Sequence, residues 1–336
     1  MNLIIPMAGR GSRLRPHTLT VPKPLVPVAG KPIVQRLAED LTASLSERVD
    51  RIAFVIGDFG DQVESDLLDI AKGLGAEGMV VTQDQPLGTA HAILCAKELL
   101  EGPTMIAFAD TLFDADFSFD VQEAEGIIWA QRVEDPSAYG VLKLDDEGYI
   151  TDFVEKPTEF VSDLAIVGIY YVQRGEDLRR ELEYLIDNDI KDKGEYQLTN
   201  GLEALKQKGT KFRPGEVKEW LDCGNKGAVV HTHQRVLELK ADKESLRHDT
   251  ASVVDSVILE PCYLGPGARV VNSVVGPHVS VGANSVVEGS VVRNSIVQNE
   301  SHVKHANLAD SMIGNHATYT GEASDVSAGD YSQIRQ

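Results

Sequence analysis

The first two dozen residues of this chain concentrate cations and glycines in one short segment. The stretch MAGRGSRLRPHTLTVPKPL carries four cations and two glycines: Arg10, Arg13, Arg15, Lys23, Gly9 and Gly11. It follows an apolar run, NLIIPMA, that is typical of a buried strand. A glycine-rich turn after a strand presents backbone N–H groups to a phosphate, and arginine neutralises the phosphate charge. The segment therefore predicts a phosphate-binding turn.

The spacing of the glycines excludes two common phosphate-binding motifs. No G-K-[ST] follows the second glycine, as a P-loop requires. Leu14 stands where the dinucleotide-binding fingerprint needs a third glycine. What remains is a phosphate cradle that contains Arg13, with Lys23 a few residues later.

The chain as a whole is acidic, and this charge argues against nucleic acid as a partner. Its 336 residues carry a formal net charge of -20. Nucleic-acid binding needs a broad basic face, so we expect no nucleic-acid partner. A few local cations can still create a positive pocket on an acidic body, and a small phosphate compound is therefore the expected ligand.

Cysteine usage and hydropathy predict a soluble, cytoplasmic protein. The three cysteines, Cys95, Cys223 and Cys262, form no C-x-x-C pair, so we expect core residues and neither a zinc site nor disulfides. No apolar run reaches the ~20 residues of a membrane span. The N-terminal apolar run lacks the pattern of a signal peptide. We expect no membrane partner.

Short apolar runs alternate with helical patterns through the first two-thirds of the chain. Residues 2–8, 51–57 and 104–110 are predicted strands, and residues 31–44 have apolar side chains at helical spacing. This alternation predicts an α/β fold with a Rossmann-like, mostly parallel sheet that is covered on both faces. Ligands of such sheets bind at the carboxyl ends of strands, where the glycine turn also lies.

The last third contains an internal repeat. The phrases DSVI, NSVV, NSVV, NSIV and DSMI begin at residues 255, 272, 284, 294 and 310. Aliphatic residues followed by small ones at steps near six predict a solenoid with three short parallel strands per coil. An antiparallel sandwich is the weaker alternative, because the region lacks N-G and D-G hairpin turns. We place the domains at 1–235 and 251–336, joined by a linking helix at 236–250.

Several motifs, in order along the chain, resemble the sugar-1-phosphate nucleotidylyltransferase family. AGRGSRLRPHT followed by PKPL resembles the family signature G-x-G-[ST]-R-L-x-P-x-T…P-K-x-L. The further matches are QDQPLGTAHA, FAD, AYGVLKLD, VEKP, VGIYYV and EWLDCGN. The resemblance covers residues 1 to about 235 and implies the nucleotide-diphospho-sugar transferase type of sheet. The repeat region resembles the left-handed β-helix that several members carry.

The resemblance implies transfer of a nucleotidyl group from a pyrimidine nucleoside triphosphate, dTTP or UTP, to a hexose 1-phosphate. It assigns catalytic roles to Arg13, which would hold the triphosphate, and to Lys23, which would bind phosphoryl groups near the point of attack. The nucleotide-binding residues that it implies are Ala8, Gly9, Gly11, Ser12, Gln83, Gly88 and Thr89. The amide of Gln83 can offer one donor and one acceptor to a pyrimidine edge. Uracil and thymine differ by one methyl group, so the sequence leaves dTTP and UTP open.

The same resemblance implies the sugar and metal sites. The residues implied for the sugar phosphate are Gly140, Glu155, Lys156 and Gly168, with Lys156 on the phosphate group. Asp110 and Asp222 would hold Mg²⁺, which prefers carboxylate oxygen and bridges to substrate phosphates. Members that bind N-acetyl sugars often carry asparagine where this chain has Ile166-Val167, so the expected acceptor is glucose 1-phosphate.

Two other functions stay open at this point. The β-helix could hold an acyltransferase site on one of its histidines, which are His278, His302, His305 and His316. That would make the chain bifunctional, with N-acetylglucosamine or glucosamine 1-phosphate as substrate. A non-catalytic sensor of nucleotide sugars is the second alternative, although Arg13, Lys23, Asp110 and Asp222 are all present. We expect the β-helix to mediate homo-oligomerisation.

Overall fold

The computed structural model describes residues 1–9, 11–115, 117, 124–322, 327, 329–331 and 333. The chain divides into two compact units. The first comprises Met1–Val26 and Lys31–Asn225, and the second comprises Pro27–Gly30 and Lys226–Gln336. The helix that follows Asn225 therefore groups with the C-terminal repeats, whereas the sequence prediction ended the first domain at residue 235.

The helices are α1 (Ile33–Ser44), α2 (Asp61–Gly73), α3 (Thr89–Cys95), α4 (Gly175–Asp187), α5 (Leu198–Gln207) and α6 (Lys226–Lys240), with 3₁₀ turns at Ser12–Leu14, Lys23–Leu25 and Lys97–Leu99. The strands of the N-terminal part are β1 (Asn2–Pro6), β2 (Pro27–Val28), β3 (Lys31–Pro32), β4 (Arg51–Ile56), β5 (Glu77–Thr82), β6 (Thr104–Ala107), β7 (Thr111–Asp114), β8 (Gly126–Arg132), β9 (Gly140–Leu144), β10 (Ile150–Glu155), β11 (Leu164–Val172), β12 (Phe212–Glu216) and β13 (Glu219–Asp222). The repeat strands are β14 (Ser252–Val254), β15 (Val257–Ile258), β16 (Cys262–Leu264), β17 (Arg269–Val271), β18 (Val274–Val275), β19 (Val279–Val281), β20 (Val286–Glu288), β21 (Val291–Arg293), β22 (Ser295–Val297), β23 (His302–Lys304), β24 (Asn307–Ala309), β25 (Met312–Ile313) and β26 (Thr318–Thr320).

A mixed nine-stranded sheet forms the centre of the first unit and confirms the predicted α/β class. Its order is β10-β9-β11-β6-β1-β4-β5, and β8 joins β11 to β12. The strands β6, β1, β4 and β5 run parallel, whereas β11 is antiparallel to its neighbours. Every residue of β1 is buried, because a parallel sheet is covered on both faces.

The parallel strands bring separate parts of the sequence to one edge of the sheet. The glycine turn follows β1, Gln83 follows β5, and Asp110 lies three residues after β6. The carboxyl ends of parallel strands lie at the same edge, so these side chains approach one another without any sequence proximity. A separate two-stranded pair, β7 with β13, places Asp222 opposite Thr111.

Three parallel sheets form the repeat region, which is consistent with the predicted left-handed β-helix. The sheets are β14-β17-β20-β23-β26, β15-β18-β21-β24 and β16-β19-β22-β25. Successive coils are 16 or 17 residues apart, as the hydrogen bonds between stacked serines show. The interior is a column of buried aliphatic side chains that includes Val270, Val287 and Val303.

The repeated phrase [DN]-S has a physical origin at the corners of the coils. Asp255, Asn272 and Asn294 all adopt positive φ, which asparagine and aspartate tolerate better than most residues. The serine that follows them stacks from coil to coil. The backbone N–H of Ser273 donates to Ser256 Oγ, and that of Ser290, which follows Gly289 with φ +56°, donates to Ser273 Oγ. These bonds satisfy buried backbone donors that no strand pairing reaches.

Two further expectations from the sequence concern membrane-spanning helices and the state of the three cysteines. None of the helices in the described residues combines the length and the apolar content that a membrane crossing requires. Cys95, Cys223 and Cys262 are free thiols; the last two are buried and Cys95 is half-buried. The prediction of small core residues is therefore correct for Cys223 and Cys262.

The column of valines should carry much of the stability of the second unit. We expect Val287→Ala to lower the free energy of unfolding by about 2 kcal/mol, because it removes two buried methyl groups and leaves a cavity. Val291→Ala is the matched control, since Val291 is 43% exposed and should change stability by less than about 0.5 kcal/mol. Chemical denaturation followed by circular dichroism measures both. Equal losses would mean that the interior column does not determine stability.

Candidate active site

The glycine turn leaves its backbone donors available. It continues from β1, where the N–H of Met7 still donates to the carbonyl of Val55 at 2.8 Å. Among the described residues of the turn, no hydrogen bond occupies the N–H groups of Gly11, Ser12 and Arg13, and the Arg13 side chain is exposed. Arg10 lies outside the described residues. The turn can therefore receive an anion from the solvent side.

Lys23 packs directly against this turn. Gly11 adopts φ +61°, and a Cβ atom there would lie 2.6 Å from Cβ of Lys23. Only glycine permits both the backbone conformation and this close approach. The Lys23 side chain is buried, and its Nζ lies 3.6 Å from Oδ2 of Asp110. A buried ammonium group thus joins the glycine turn to the end of β6.

Asp110 and Asp222 lie side by side although they are far apart in the sequence. The pairing of β7 with β13 sets Asp222 opposite Thr111, and the N–H of Cys223 donates to the carbonyl oxygen of Asp110 at 3.1 Å. The N–H of Gly224 donates to Oδ1 of Asp222 at 2.8 Å and restricts that carboxylate. Both carboxylate groups remain largely exposed to solvent.

This donor set fits a magnesium ion that is shared with a phosphate ligand. Mg²⁺ takes carboxylate oxygen and is usually bound through one or two carboxylates plus substrate phosphates. Within the described ranges, no group of three or more histidine, cysteine or acidic side chains is positioned to hold a metal. Asp110 and Asp222 therefore suit a cation whose remaining ligands come from substrate and water.

Gln83, Gly88 and Thr89 form one rigid segment next to the turn. The N–H of Gln83 donates to the carbonyl of Ile56 at 2.7 Å, which extends the pairing of β4 and β5. The Gln83 amide nitrogen lies 3.2 Å from the carbonyl oxygen of Gly88 and 3.1 Å from Nδ1 of His91. The role of this amide toward a base stays a prediction. Its nitrogen is already engaged within the protein, and only Oε1 is left.

One cavity of about 430 Å³ joins these groups. The predicted residues that line it are Ala8, Gly9, Gly11, Ser12, Arg13, Lys23, Gln83, Gly88, Thr89 and Asp110. Asp222 does not line the cavity, but Gly224, two residues further on, does. The whole predicted nucleotide half of the site thus converges on one space within the first unit.

The predicted sugar-phosphate residues form a second cluster. Gly140 is paired with Glu155 across β9 and β10, and a Cβ atom on Gly140 would lie 3.0 Å from Glu155 Oε2. Lys156 adopts φ +44°, and its Nζ lies 3.6 Å from Glu155 Oε1. Lys193 donates to the carbonyl oxygens of Glu155 and Lys156 and fixes this loop. None of these residues lines the first cavity.

Phe108 and Tyr170 lie between the two clusters. The carbonyl oxygen of Gly168 accepts a hydrogen bond from the N–H of Phe108 at 3.0 Å, and Phe108 lines the cavity. Burial raises the pKa of Tyr170, and the negative charges of Glu155 and Asp110 raise it further. The Phe108 and Tyr170 rings pack edge to face with centroids 6.1 Å apart, so β11, which carries Gly168, contacts the segment that leads to Asp110.

The sequence did not identify Glu195, Gln197 or His91 as members of the site. Glu195 lines the cavity, and Gln197 pairs with the Thr89 hydroxyl at 3.3 Å. Thr89 Oγ1 also accepts from the N–H of Leu198 at 2.9 Å. The signal that could have found Glu195 and Gln197 is GEYQLTN at 194–200, where a glycine and an acid precede a helix, whereas His91 lies within QDQPLGTAHA at 83–92.

Comparison with known proteins finds a family model and relatives that are all described as nucleotidyltransferases. A family model described as "Nucleotidyl transferase" matches residues 3–238. The chain is 30% identical over 349 residues to the low-salt glycan biosynthesis nucleotidyltransferase Agl11 of Haloferax volcanii, covering 97% of this chain and 95% of that one. It is 29% identical over 361 residues to a glucose-1-phosphate thymidylyltransferase of Streptomyces griseus, covering 100% and 99%.

A solved structure shares the fold of the first part of the chain. UDP-glucose pyrophosphorylase complexed with UDP-glucose aligns with a TM-score of 0.57 and 23% identity. The alignment covers 71% of this chain and 98% of that one. At this identity the likeness supports the architecture and nothing finer.

The close approach of Lys23 to Gly11 can be tested by adding one methyl group. Gly11→Ala should lower the free energy of unfolding by more than the ~1 kcal/mol expected for positive φ alone, because it also displaces Lys23. Gly102→Ala is the matched control, since Gly102 has φ +60° and open space around its Cβ position. Thermal unfolding of both variants measures the difference. If both variants lose the same free energy of unfolding, Lys23 can move away from a side chain at position 11 without measurable cost.

Proposed function

The chain belongs to the nucleotidyl transferase family, and we propose that it transfers a nucleotidyl group from dTTP or UTP to a hexose 1-phosphate, with glucose 1-phosphate as the acceptor. The observation that carries this proposal is one cavity that joins the glycine turn, Lys23, Gln83 and Asp110. The products are a nucleotide sugar and pyrophosphate. The thymidylyltransferase relative, which the chain matches over its whole length, supports the same reaction class.

The reaction requires charge neutralisation more than acid–base chemistry. A phosphate oxygen of the sugar 1-phosphate attacks the α-phosphorus of the triphosphate, and the bond from that phosphorus to the bridging oxygen of pyrophosphate breaks. Both reactants are anionic, so alignment and stabilisation of developing negative charge lower the barrier. The glycine turn with Arg13 would hold the triphosphate and the departing pyrophosphate. Buried Lys23 would bind the phosphoryl oxygens near the point of attack.

Asp110 and Asp222 would hold Mg²⁺. When bound, this ion would supply charge neutralisation of the phosphate oxygens. The 3.6 Å contact between Lys23 and Asp110 keeps one carboxylate near the ammonium group before any ligand arrives. The carboxylate of Asp222 is held by the N–H of Gly224, so neither acid has to be reoriented far.

The second cluster would bind the acceptor. Lys156 would contact the phosphate of the sugar, and Glu155, Gly140 and Gly168 would surround its hydroxyl groups. A Cβ position on Gly140 lies 3.0 Å from Glu155 Oε2 and 3.2 Å from Ile166 Cδ1, so a carboxylate and an aliphatic side chain meet at this point. The preference for glucose over N-acetylglucosamine is supported by the aliphatic Ile166-Val167, where members that bind N-acetyl sugars often carry asparagine.

The bifunctional alternative has partial support, because the chain is 29% identical over 339 residues to the bifunctional protein GlmU of Methanococcus maripaludis, covering 94% of this chain and 77% of that one. Two of the four histidines considered for acyl transfer contact a carboxylate, His278 that of Glu238 and His316 that of Glu300. A non-catalytic sensor is expected to lack part of the catalytic set, and this chain retains both acids. Homo-oligomerisation through the β-helix stays a prediction.

Pyrophosphate release by the purified protein with Mg²⁺ tests the proposal. dTTP, UTP, CTP, GTP and ATP are each combined with the 1-phosphates of glucose, N-acetylglucosamine, galactose and mannose. The expected result is release with dTTP or UTP and glucose 1-phosphate. If no combination releases pyrophosphate but calorimetry still detects binding of a nucleotide sugar, the protein is a sensor and the proposed activity is wrong.

Removal of either carboxylate should abolish turnover without unfolding the protein. We expect Asp110→Asn and Asp222→Asn to lower kcat by at least about 100-fold, because the magnesium site loses a charged ligand. Asp114→Asn is the matched control, since Asp114 lies at the opposite end of the β7–β13 pair. Turnover is measured over a range of Mg²⁺ concentrations together with the Tm. Near-normal kcat in either site variant would remove that residue from the metal site.

Arg13 is expected to act on the rate and not only on binding. Arg13→Ala should lower kcat on the order of 100-fold, which is typical of losing one group that stabilises transition-state charge. Arg15→Ala serves as the control, because Arg15 is exposed and does not line the cavity. A modest rise in KM with unchanged kcat would restrict Arg13 to substrate binding.

A further inference from the structure

The side-chain amide of Gln83 has both of its N–H groups directed at acceptors of the protein. One acceptor is the carbonyl oxygen of Gly88, at 3.2 Å, and the other is Nδ1 of His91, at 3.1 Å. A primary amide has two N–H donors and one carbonyl acceptor. The nitrogen is therefore saturated, and Oε1 is the atom that remains for a ligand in the cavity that Gln83 lines.

The contact with Gly88 decides the orientation of the amide. If the amide were flipped, its oxygen would face the carbonyl oxygen of Gly88 at 3.2 Å. Two acceptors in contact repel, and the amide nitrogen would lose this partner. The Gly88 carbonyl cannot adapt easily, because it also accepts a hydrogen bond from the N–H of Ala92 at 3.1 Å.

The neutral form of His91 is the form that can accept this bond. Burial lowers the pKa of His91, and the nearby negative charge of Asp84 opposes this shift only in part. Because the contact with Gly88 sets the Gln83 nitrogen toward His91, Nδ1 of the imidazole is the acceptor and the ring proton lies on Nε2. His91 lies on α3 three residues after Gly88, so one helical turn presents both acceptors to the same amide.

The backbone around Gly88 is fixed independently of the ligand. Gly88 adopts φ +116°, and a Cβ atom there would lie 2.4 Å from the carbonyl oxygen of Tyr196. The N–H of Tyr196 donates to the carbonyl of Leu87, and the N–H of Ala90 donates to the carbonyl of Tyr196, both at 2.9 Å. The acceptors that orient the amide thus belong to a pre-organised frame.

We infer that His91 is a positioning residue that fixes the amide of Gln83 so that the site reads a base through a single hydrogen-bond acceptor. This inference rests on the proposed function, in which Gln83 faces the base. An acceptor at this place selects bases that present a ring N–H beside a carbonyl, which are uracil, thymine and guanine. Cytosine and adenine present a ring lone pair at the corresponding position, and this lone pair is repelled by Oε1.

Two substitutions of His91 separate positioning from packing. His91→Leu keeps bulk and removes the acceptor, whereas His91→Asn returns an oxygen near the position of Nδ1. Cys95→Ala is the matched control, because Cys95 lies one turn further along α3, whereas the Gln83 amide nitrogen has Gly88 and His91 as its hydrogen-bond partners. Steady-state kcat and KM are measured for dTTP, UTP and CTP at saturating glucose 1-phosphate, together with the Tm of each variant.

The expected result is a change in KM and in selectivity at nearly constant kcat. His91→Leu should raise the KM for dTTP or UTP about fivefold to tenfold, since one neutral hydrogen bond that orients the amide is lost. The preference for UTP over CTP in kcat/KM should fall about tenfold. His91→Asn should recover most of both effects, and Cys95→Ala should behave as the unchanged protein.

Three outcomes would overturn the inference while leaving the proposed function intact. The first is unchanged base selectivity in His91→Leu while Gln83→Ala loses it. The second is an equal loss with dTTP, UTP and CTP that His91→Asn does not recover, because this would indicate packing alone. The third is a fall in kcat with unchanged KM. If the unchanged protein uses GTP instead of a pyrimidine triphosphate, the pyrimidine assignment fails, and the same variants are compared with GTP and ATP.

Discussion

The parallel pairing of β1 with β4 and β6 is the constraint on which the rest of the site depends. It brings the glycine turn after β1, Gln83 after β5 and Asp110 after β6 to one edge of the sheet. The reaction joins two anions, so the protein must concentrate positive charge at this edge although the chain has a net charge of -20. The sheet does this by geometry, because each strand end contributes one group.

Charge balance at that edge explains why a buried lysine lies between a glycine turn and an acid. Lys23 is desolvated, and an unpaired buried ammonium group is costly. The carboxylate of Asp110 at 3.6 Å offsets that cost in the free protein. A bound phosphate would offer Lys23 additional anionic oxygens, while a cation on Asp110 and Asp222 would occupy the carboxylates. Binding of substrate and cation would thus replace the ion pair between Lys23 and Asp110 with contacts from each residue to a ligand.

Base recognition depends on a different kind of constraint. The Gln83 amide is held by Gly88 and His91, and the loop that carries Gly88 is held by the segment around Tyr196. Specificity arises from an amide whose orientation is set before the ligand binds. His91 does not need to touch the base in order to orient the amide, which is why the motif revealed Gly88 but not His91.

The sequence by itself determined the α/β class and the repeat of the β-helix through periodicity, and its motifs identified ten of the residues that line the cavity, because periodicity and motif order are local properties of the chain. Even the [DN]-S phrase of the repeat reflects a local requirement for positive φ and a stacked hydroxyl. Only the tertiary structure decided that the pairing of β7 with β13 sets Asp222 opposite Thr111, that Glu195 lines the cavity, and that the nitrogen of Gln83 is engaged by Gly88 and His91. Those facts depend on strand register, on packing between distant segments and on the competition of protein acceptors for one amide, and residue types and spacings do not encode them locally.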